Sequence, residues 1–291
     1  MCGALALFLF IVIELPALYA QSDLQTYTPS KLLAKGKMDM KWYNNFYTQT
    51  RSADTLGVVS VVPRSTFYTF TYEMYWGVSK NAKFNIGFIT NFKSNSSRPG
   101  ALDVFRFEEE DFIARWGGTT FAPSLKWSPF DKSPNFSVQS SFYFPVFEDN
   151  PRGFYLDKRS YVWENKLFYD HLFPRNKFQL FAEVNLTYNF GEQVDYSNNE
   201  INNQERFANN SFAFPVSVFL SYFPGPKTAF FINAQHFSLA GAFNQNFTHS
   251  GLGFKYQLAK HLNVEVSSSY FLRGKASGLG ETYNLGFRYI L

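Results

Sequence analysis

Four histidines are the residues of this 291-residue chain best suited to acid–base chemistry. His249 is the strongest candidate, because the hydroxyl residues Thr248 and Ser250 flank it. Neighbours on an extended strand point to opposite faces, however, so His249 and Ser250 cannot pair as base and nucleophile. His171 and His261 flank predicted turns, and His236 falls on the apolar side of its segment. The motifs H-E-x-x-H and G-x-S-x-G and a Gly-rich phosphate loop are absent from the sequence, so we predict that the protein is not an enzyme.

Charged residues also recur singly among Asn, Gln, Ser and Thr at alternate positions of extended segments. Alternation places them on one face of a strand. Around a closed axis, mixed charges can line a water-filled path and bias which solutes pass. They can equally pair across a narrow interior and fill it, and the sequence leaves both interpretations open. The residues with this inward parity are Glu73, Glu164, Lys166, Glu183, Lys255, Glu265 and Arg288.

An acidic run, Glu108 to Asp111, is the third group of residues that could do chemistry. Carboxylates are the ligands that hard divalent cations prefer. A run of this kind is more often a solvated loop, and we predict no metal and no cofactor.

The segments that position these residues alternate apolar and polar side chains. In the last hairpin, residues 261–272 and 281–291 carry Leu, Val, Tyr and Phe on one parity and Asn, Glu, Ser, Thr and Arg on the other. A period of two predicts strands with one apolar and one polar face. The chain stops directly on this aromatic strand, which is the way in which outer-membrane barrels close.

The same alternation recurs along the chain and predicts about twelve strands of roughly ten to twelve residues, the length of a tilted membrane-spanning strand. We expect short turns on one side and longer connections on the other, the latter including residues 51–64, 191–210 and 273–280. Gly117-Gly118 indicates a bulge that shifts the parity of the fourth strand.

Composition limits the class of protein. Aromatic residues make up 20% of the chain, yet the mean hydropathy is −0.22 and charged residues make up 17%. The chain is therefore too aromatic to be disordered and too polar to be a helical membrane protein. No Lys/Arg cluster is present, so a nucleic-acid partner is not expected.

The amino-terminal residues have the pattern of an export signal. An apolar run from Ala4 to Ile13 leads to Ala20 and then to polar residues, which predicts a signal peptide over residues 1–20. Residues 21–36 are a polar lead-in, and the barrel is expected over 37–291. Cleavage would remove Cys2, the only cysteine, which excludes disulfides and thiolate sites from the mature chain. It would also remove Glu14, raising the formal charge of +4 by one.

A soluble antiparallel barrel or sandwich shows the same alternation, with the apolar face inside. The export signal, the alternating connection lengths and the aromatic residues near strand ends favour a membrane barrel instead. We therefore predict an all-β fold, a closed antiparallel up-and-down transmembrane β-barrel with short periplasmic turns and longer extracellular loops. Six aromatic residues fit its interfacial girdles: Trp42, Trp76, Trp127, Trp163, Tyr222 and Tyr283.

Over Lys37 to Leu291 the chain resembles the outer-membrane β-barrels of Gram-negative bacteria. The sequences Tyr72-Glu73-Met74-Tyr75-Trp76-Gly77 and Gly251-Leu252-Gly253-Phe254-Lys255-Tyr256 look like those of outer-membrane transporters associated with aromatic-compound degradation pathways. This resemblance implies passive passage of small solutes through a porin-like barrel in the outer membrane, with lipid around it. The alternatives are a non-transporting accessory barrel with outer-membrane protein partners and, less favoured, a barrel lipid hydrolase.

Overall fold

The computed structural model describes residues 31–150, 152–192, 208–241 and 244–291. The predicted signal peptide and residues 21–30 of the lead-in lie outside this part of the chain. In the described ranges, no helix has the length and apolar character needed to cross a membrane. The described chain contains thirteen β-strands, which are β1 Met38–Ala53, β2 Val59–Gly77, β3 Phe84–Ser96, β4 Ala114–Trp127, β5 Phe136–Pro145, β6 Val162–Leu172, β7 Phe178–Asn189, β8 Ser211–Ala213, β9 Val216–Gly225, β10 Thr228–Ala240, β11 Gln245–Ala259, β12 Leu262–Lys275 and β13 Ser277–Ile290.

These strands form one antiparallel sheet that closes on itself, because β1 pairs with both β2 and β13. The short strand β8 and the following strand β9 share one position in the wall, since each pairs with β7 and with β10. Pro215 lies between them and has no N–H to donate to the ladder, which accounts for the break. The wall is therefore twelve strands wide, and the predicted up-and-down barrel is confirmed.

The apolar face of the wall points outward. Phe230 and Ile232 are 49% and 60% exposed, whereas the inward-facing Lys255 of the adjacent strand is 3% exposed. Charged and amide side chains are buried on the inner face throughout the described strands, as Lys126, Gln139 and Arg288 illustrate. A soluble barrel would bury its aromatic rows and expose its polar ones, so that alternative is wrong. The outer wall instead suits contact with lipid, where a closed ladder leaves no unpaired strand edge.

The two ends of the barrel differ in their connections. At one end, here called the turn end, the strands are joined by residues 78–83, 128–135, 173–177, 226–227 and 260–261. At the other end, the loop end, residues 97–113 join β3 to β4, and the chain passes from Pro145 of β5 to Val162 of β6 and from Asn189 of β7 to Ser211 of β8. Strands β1, β2, β12 and β13 continue at the loop end through residues expected to be connections, where Arg51 pairs with Val61 and Arg273 pairs with Thr248. Bulges between Gln49 and Arg51 on β1 and at Leu272 on β12, opposite Thr248 and His249, shift the parity there, which hides the strands in the sequence.

Glycines on the inner face make room for rings on neighbouring strands. Phe231 pairs across the ladder with Gly253, and a Cβ at Gly253 would meet the Phe231 ring. Tyr75 lies in the same way against its partner Gly87, where an added Cβ would be 2.6 Å from the tyrosine Cδ1. Because such a glycine has no side chain, the ring can lie flat along the wall and leave the axis of the barrel free.

Candidate functional site: the barrel lumen

The barrel interior contains a cavity of about 840 Å³. Its lining includes Asn263 and Arg288 near the turn end and Gln49 and Gly278 near the loop end, so the cavity extends along most of the barrel. Most of the lining comes from β1–β3 and β9–β13. The cavity therefore follows one side of the wall.

Several charged residues of the interior lie in close pairs of opposite sign. Lys41 Nζ lies 3.2 Å from Glu73 Oε2, and Lys255 Nζ lies 2.8 Å from Glu265 Oε2. Both are directly opposed cross-strand pairs, so the register of the ladder creates them. Lys166 Nζ lies 3.3 Å from Glu164 Oε1 on its own strand.

The buried pair nearest the turn end is Arg288 with Asp39. The guanidinium donates two hydrogen bonds, from Nε to Oδ1 and from a terminal nitrogen to Oδ2, each 2.7 Å long. A planar guanidinium matches a carboxylate in this bidentate way. Because β1 and β13 close the barrel, this pair also joins the first and last strands.

The structure thus places all seven candidate residues of the sequence on the inner face. Six belong to the pairs above, and Glu183 lines the cavity on β7 together with Lys166 on β6. Their part in solute passage stays a prediction. Asp39, Lys41 and Lys126 were not among the candidates although they share the inward parity. The alternation around Trp42 and Trp127 was the signal that could have identified them.

The interior is less uniformly polar than expected. Four phenylalanines face inward on consecutive positions of the wall, with ring centroids 5.8 to 6.1 Å apart from one to the next. Lys126 Nζ lies 4.6 Å above the first ring, a cation–π arrangement. This arc lies toward the turn end on the side opposite most of the cavity lining. It consists of Phe168, Phe181, Phe219 and Phe231.

The β5–β6 connection folds inward at the loop end. Asp157 Oδ1 lies 2.7 Å from Nζ of Lys93 on the inner face of β3. Asn95 Nδ2 donates to the backbone carbonyls of Tyr155 and Leu156 at 2.8 Å each, and Leu156 is 2% exposed. Burial alone would raise the pKa of Asp157, but the Lys93 and Lys158 ammonium groups outweigh it and hold that pKa below its usual range. The segment is therefore held against the inner face of β3 beside the cavity, which Lys93 lines.

The acidic run lies in the β3–β4 connection and faces arginines. Arg98 lies 2.7 Å from Glu108 and 2.5 Å from Glu110. Asp111 lies 3.5 Å from Arg152 of the β5–β6 connection, and Glu109 lies 3.9 Å from Arg115 on β4. The carboxylates thus tie two connections and the wall together, which differs from the convergence on a cation that metal binding requires.

The four histidines have different surroundings, and the neighbouring His236 and His249 face opposite sides of the wall. His249 faces the cavity and is 8% exposed, whereas its neighbour Ser250 faces away and donates to the Asn233 carbonyl at 2.8 Å. His236 Nδ1 lies 2.9 Å from Thr248 Oγ1 on the opposite face, and His261 Nδ1 lies 2.6 Å from the Ile290 carbonyl. The expectation that His249 and Ser250 do not pair is confirmed.

No protein-family model and no curated protein matches the chain. Its structure is similar to the COG4313 outer membrane channel from Pseudomonas putida F1, with a TM-score of 0.66 at 11% identity over 92% of this chain and 100% of that one. It is also similar to the beta domain of the Bordetella autotransporter BrkA, with a TM-score of 0.52 at 13% identity over 86% of this chain and 98% of that one. The chain therefore has the fold of an outer-membrane β-barrel, with a lipid-facing apolar wall around a charged and amide-lined interior.

Proposed function

We propose that this chain is an outer-membrane channel through which small solutes pass between the loop end and the turn end. The observation that supports this proposal most strongly is the cavity, which reaches from Gln49 near the loop end to Arg288 near the turn end. Amide and hydroxyl side chains line it between the charged pairs, so it offers a wetted path across an otherwise apolar layer.

The pairing of the charges indicates which solutes suit such a path. Lys41 and Glu73, Lys255 and Glu265, and Lys166 and Glu164 each oppose a cation with an anion a few ångströms away. Paired charges attract free ions weakly because each member screens the other. We therefore expect a channel of small conductance and weak ion preference, better suited to neutral polar solutes than to salts.

An accessory barrel that transports nothing is the second candidate, and the phenylalanine arc favours it. Phe168, Phe181, Phe219 and Phe231, with Lys126, give four consecutive strand positions of the inner wall near the turn end an apolar surface, which a path for polar solutes does not need. Barrels of this width lie between filled and open types, so strand number does not choose between the candidates.

Planar-bilayer recordings of the purified full chain distinguish the channel from the accessory barrel. Discrete single-channel steps support the channel, and a mock purification without the protein is the control. No steps in any salt, from protein whose heat-modifiable gel migration shows a folded barrel, would overturn the channel and favour the accessory barrel.

A further inference from the structure

A cluster of aromatic side chains faces the lumen at its loop end. The Tyr47 ring lies 5.6 Å from that of Phe67 and 5.0 Å from that of Phe271, and Phe271 lies 5.0 Å from Phe247, all measured between ring centroids. All four rings line the cavity. They face the same interior as the charged pairs, so the girdle at the lipid interface does not account for them.

His249 lies at the edge of this cluster. Its ring centroid is 5.1 Å from that of Phe271 and 6.2 Å from that of Phe247. The side chain is 8% exposed, lines the cavity, and has no hydrogen-bond partner at Nδ1. A buried polar atom without a partner is costly, and native structures usually supply one. A bound molecule that offers a hydrogen-bond donor would satisfy it.

The amide of Gln49 lies beside the same rings. The Tyr47 hydroxyl donates to Gln49 Oε1 at 3.5 Å, and Gln49 also lines the cavity. The site therefore combines stacked ring faces with a histidine nitrogen and an amide. The four rings, the amide and the neutral histidine carry no formal charge themselves.

We propose that Tyr47, Phe67, Phe247, Phe271, His249 and Gln49 form a binding site for a neutral hydroxylated ring. The flat apolar face of such a ring would stack on the aromatic side chains, and a ring hydroxyl would donate to His249 Nδ1. Two kinds of molecule share this chemistry, a pyranose sugar and a phenol. The site deepens the proposed channel function, because the bound ring would be the solute on its way through the lumen.

Binding is tested by saturation-transfer NMR with the full chain in lipid nanodiscs, which needs no conductance. The probes are methyl glucopyranoside, phenol and the open-chain polyol sorbitol. We expect one or both rings to bind and sorbitol, which has hydroxyls and no ring face, to give no signal. His249→Ala and Phe247→Ala should each weaken ring binding by about tenfold, the factor that one hydrogen bond or one stacking contact supplies.

Phe219→Ala is the matched control, because Phe219 lines the same cavity but belongs to the phenylalanine arc. It should leave ring binding unchanged, and His249→Gln, which retains an amide acceptor, should lose less affinity than His249→Ala. Binding of the glucoside alone would identify a sugar site, and binding of phenol alone would identify a phenol site. Absence of both, or ring binding that His249→Ala and Phe247→Ala leave unchanged in folded protein, would overturn the site. Ring binding without conductance would count against the channel and leave the site standing.

Discussion

Asp157 in the β5–β6 connection and Lys93 on the inner face of β3 form an ion pair of 2.7 Å inside the loop end of the barrel. Asn95, two residues further along β3, holds the backbone of the same connection with two hydrogen bonds. The wall and the connection are thus joined by contacts between residues 60 to 64 positions apart along the sequence. Because Lys93 also lines the cavity, we expect loss of this contact to free the connection at the loop end of the cavity.

Single-channel conductance should therefore rise when acid protonates Asp157 and breaks its ion pair with Lys93. Because the pKa of Asp157 is held below its usual range, the ion pair contributes stability that is fully present above the ordinary aspartate pKa of about 3.9. That contribution is lost as the pH falls through the lowered pKa. We expect constant single-channel conductance from about pH 7 to pH 5 and a rise below about pH 4.

The Asp157→Asn variant supplies the control, because it has no carboxylate to protonate. It should show the larger conductance already at neutral pH and little further change on acidification. A conductance step between pH 7 and pH 5 in the unaltered protein, or the same acid response in both proteins, would assign the change to another group.

Much of the wall could be predicted from sequence because each strand buries its polar face and exposes its apolar face to lipid. The alternation around Glu73 and around Lys255 carries that information residue by residue. Two bulges, after Gln49 on β1 and at Leu272 on β12, reverse the parity, so the strands beyond them resembled loops. The inward connection could not be predicted, because no local pattern relates Asp157 to Lys93.

The ion preference of the lumen should shift toward anions when its glutamates are neutralised. Glu265→Gln removes the carboxylate 2.8 Å from the Lys255 ammonium, and the more positive lumen attracts anions. The reversal potential in a KCl gradient should move accordingly, and more at low salt than at high salt.

Two further single variants and one exchanged pair test the same assignment. Glu183→Gln and Glu164→Gln should move the reversal potential in the same direction, because both carboxylates face the interior with Lys166. The exchanged pair Lys255→Glu with Glu265→Lys keeps both charges and should restore the original potential. Unchanged potentials in all three single variants would refute the assignment of these residues to the conducting path.

The closure of the barrel should depend on Arg288 and Asp39. Replacing Arg288 with Met leaves a buried carboxylate without its two hydrogen bonds, and such a change costs about 3–5 kcal/mol in the free energy of unfolding. Urea unfolding in detergent micelles, followed by heat-modifiable gel migration, measures the loss. The double variant Arg288→Met with Asp39→Asn also removes the charge of the Asp39 carboxylate and should be more stable than Arg288→Met alone. If the two are equally unstable, the ion pair is not the cause.

The lumen-facing candidate residues could be predicted from the sequence, but the residues with which they form ion pairs could not. Parity places a side chain inside, but register decides which side chain it faces, and register depends on the whole closed ladder. Lys41 faces Glu73 and Lys255 faces Glu265 only because β1 with β2 and β11 with β12 align at those rungs. The phenylalanine arc was missed because Phe168 and Phe231 occupy inward positions that the general pattern reserves for polar residues.

The glycine–ring pairs on the inner face give a last prediction, on stability. A Cβ at Gly253 would meet the Phe231 ring, so Gly253→Val must displace that ring into the lumen or bend the wall, at a cost of roughly 1–3 kcal/mol. Gly286→Ala is the matched comparison, since its added Cβ would be 3.3 Å from Tyr43 Cδ2, a contact that a small shift relieves. We expect a clear loss of the free energy of unfolding for Gly253→Val and little for Gly286→Ala. Truncating the ring in the double variant Gly253→Val with Phe231→Ala should recover part of the loss. A double variant no more stable than Gly253→Val alone would show that the valine acts through the backbone of β11 and not through Phe231.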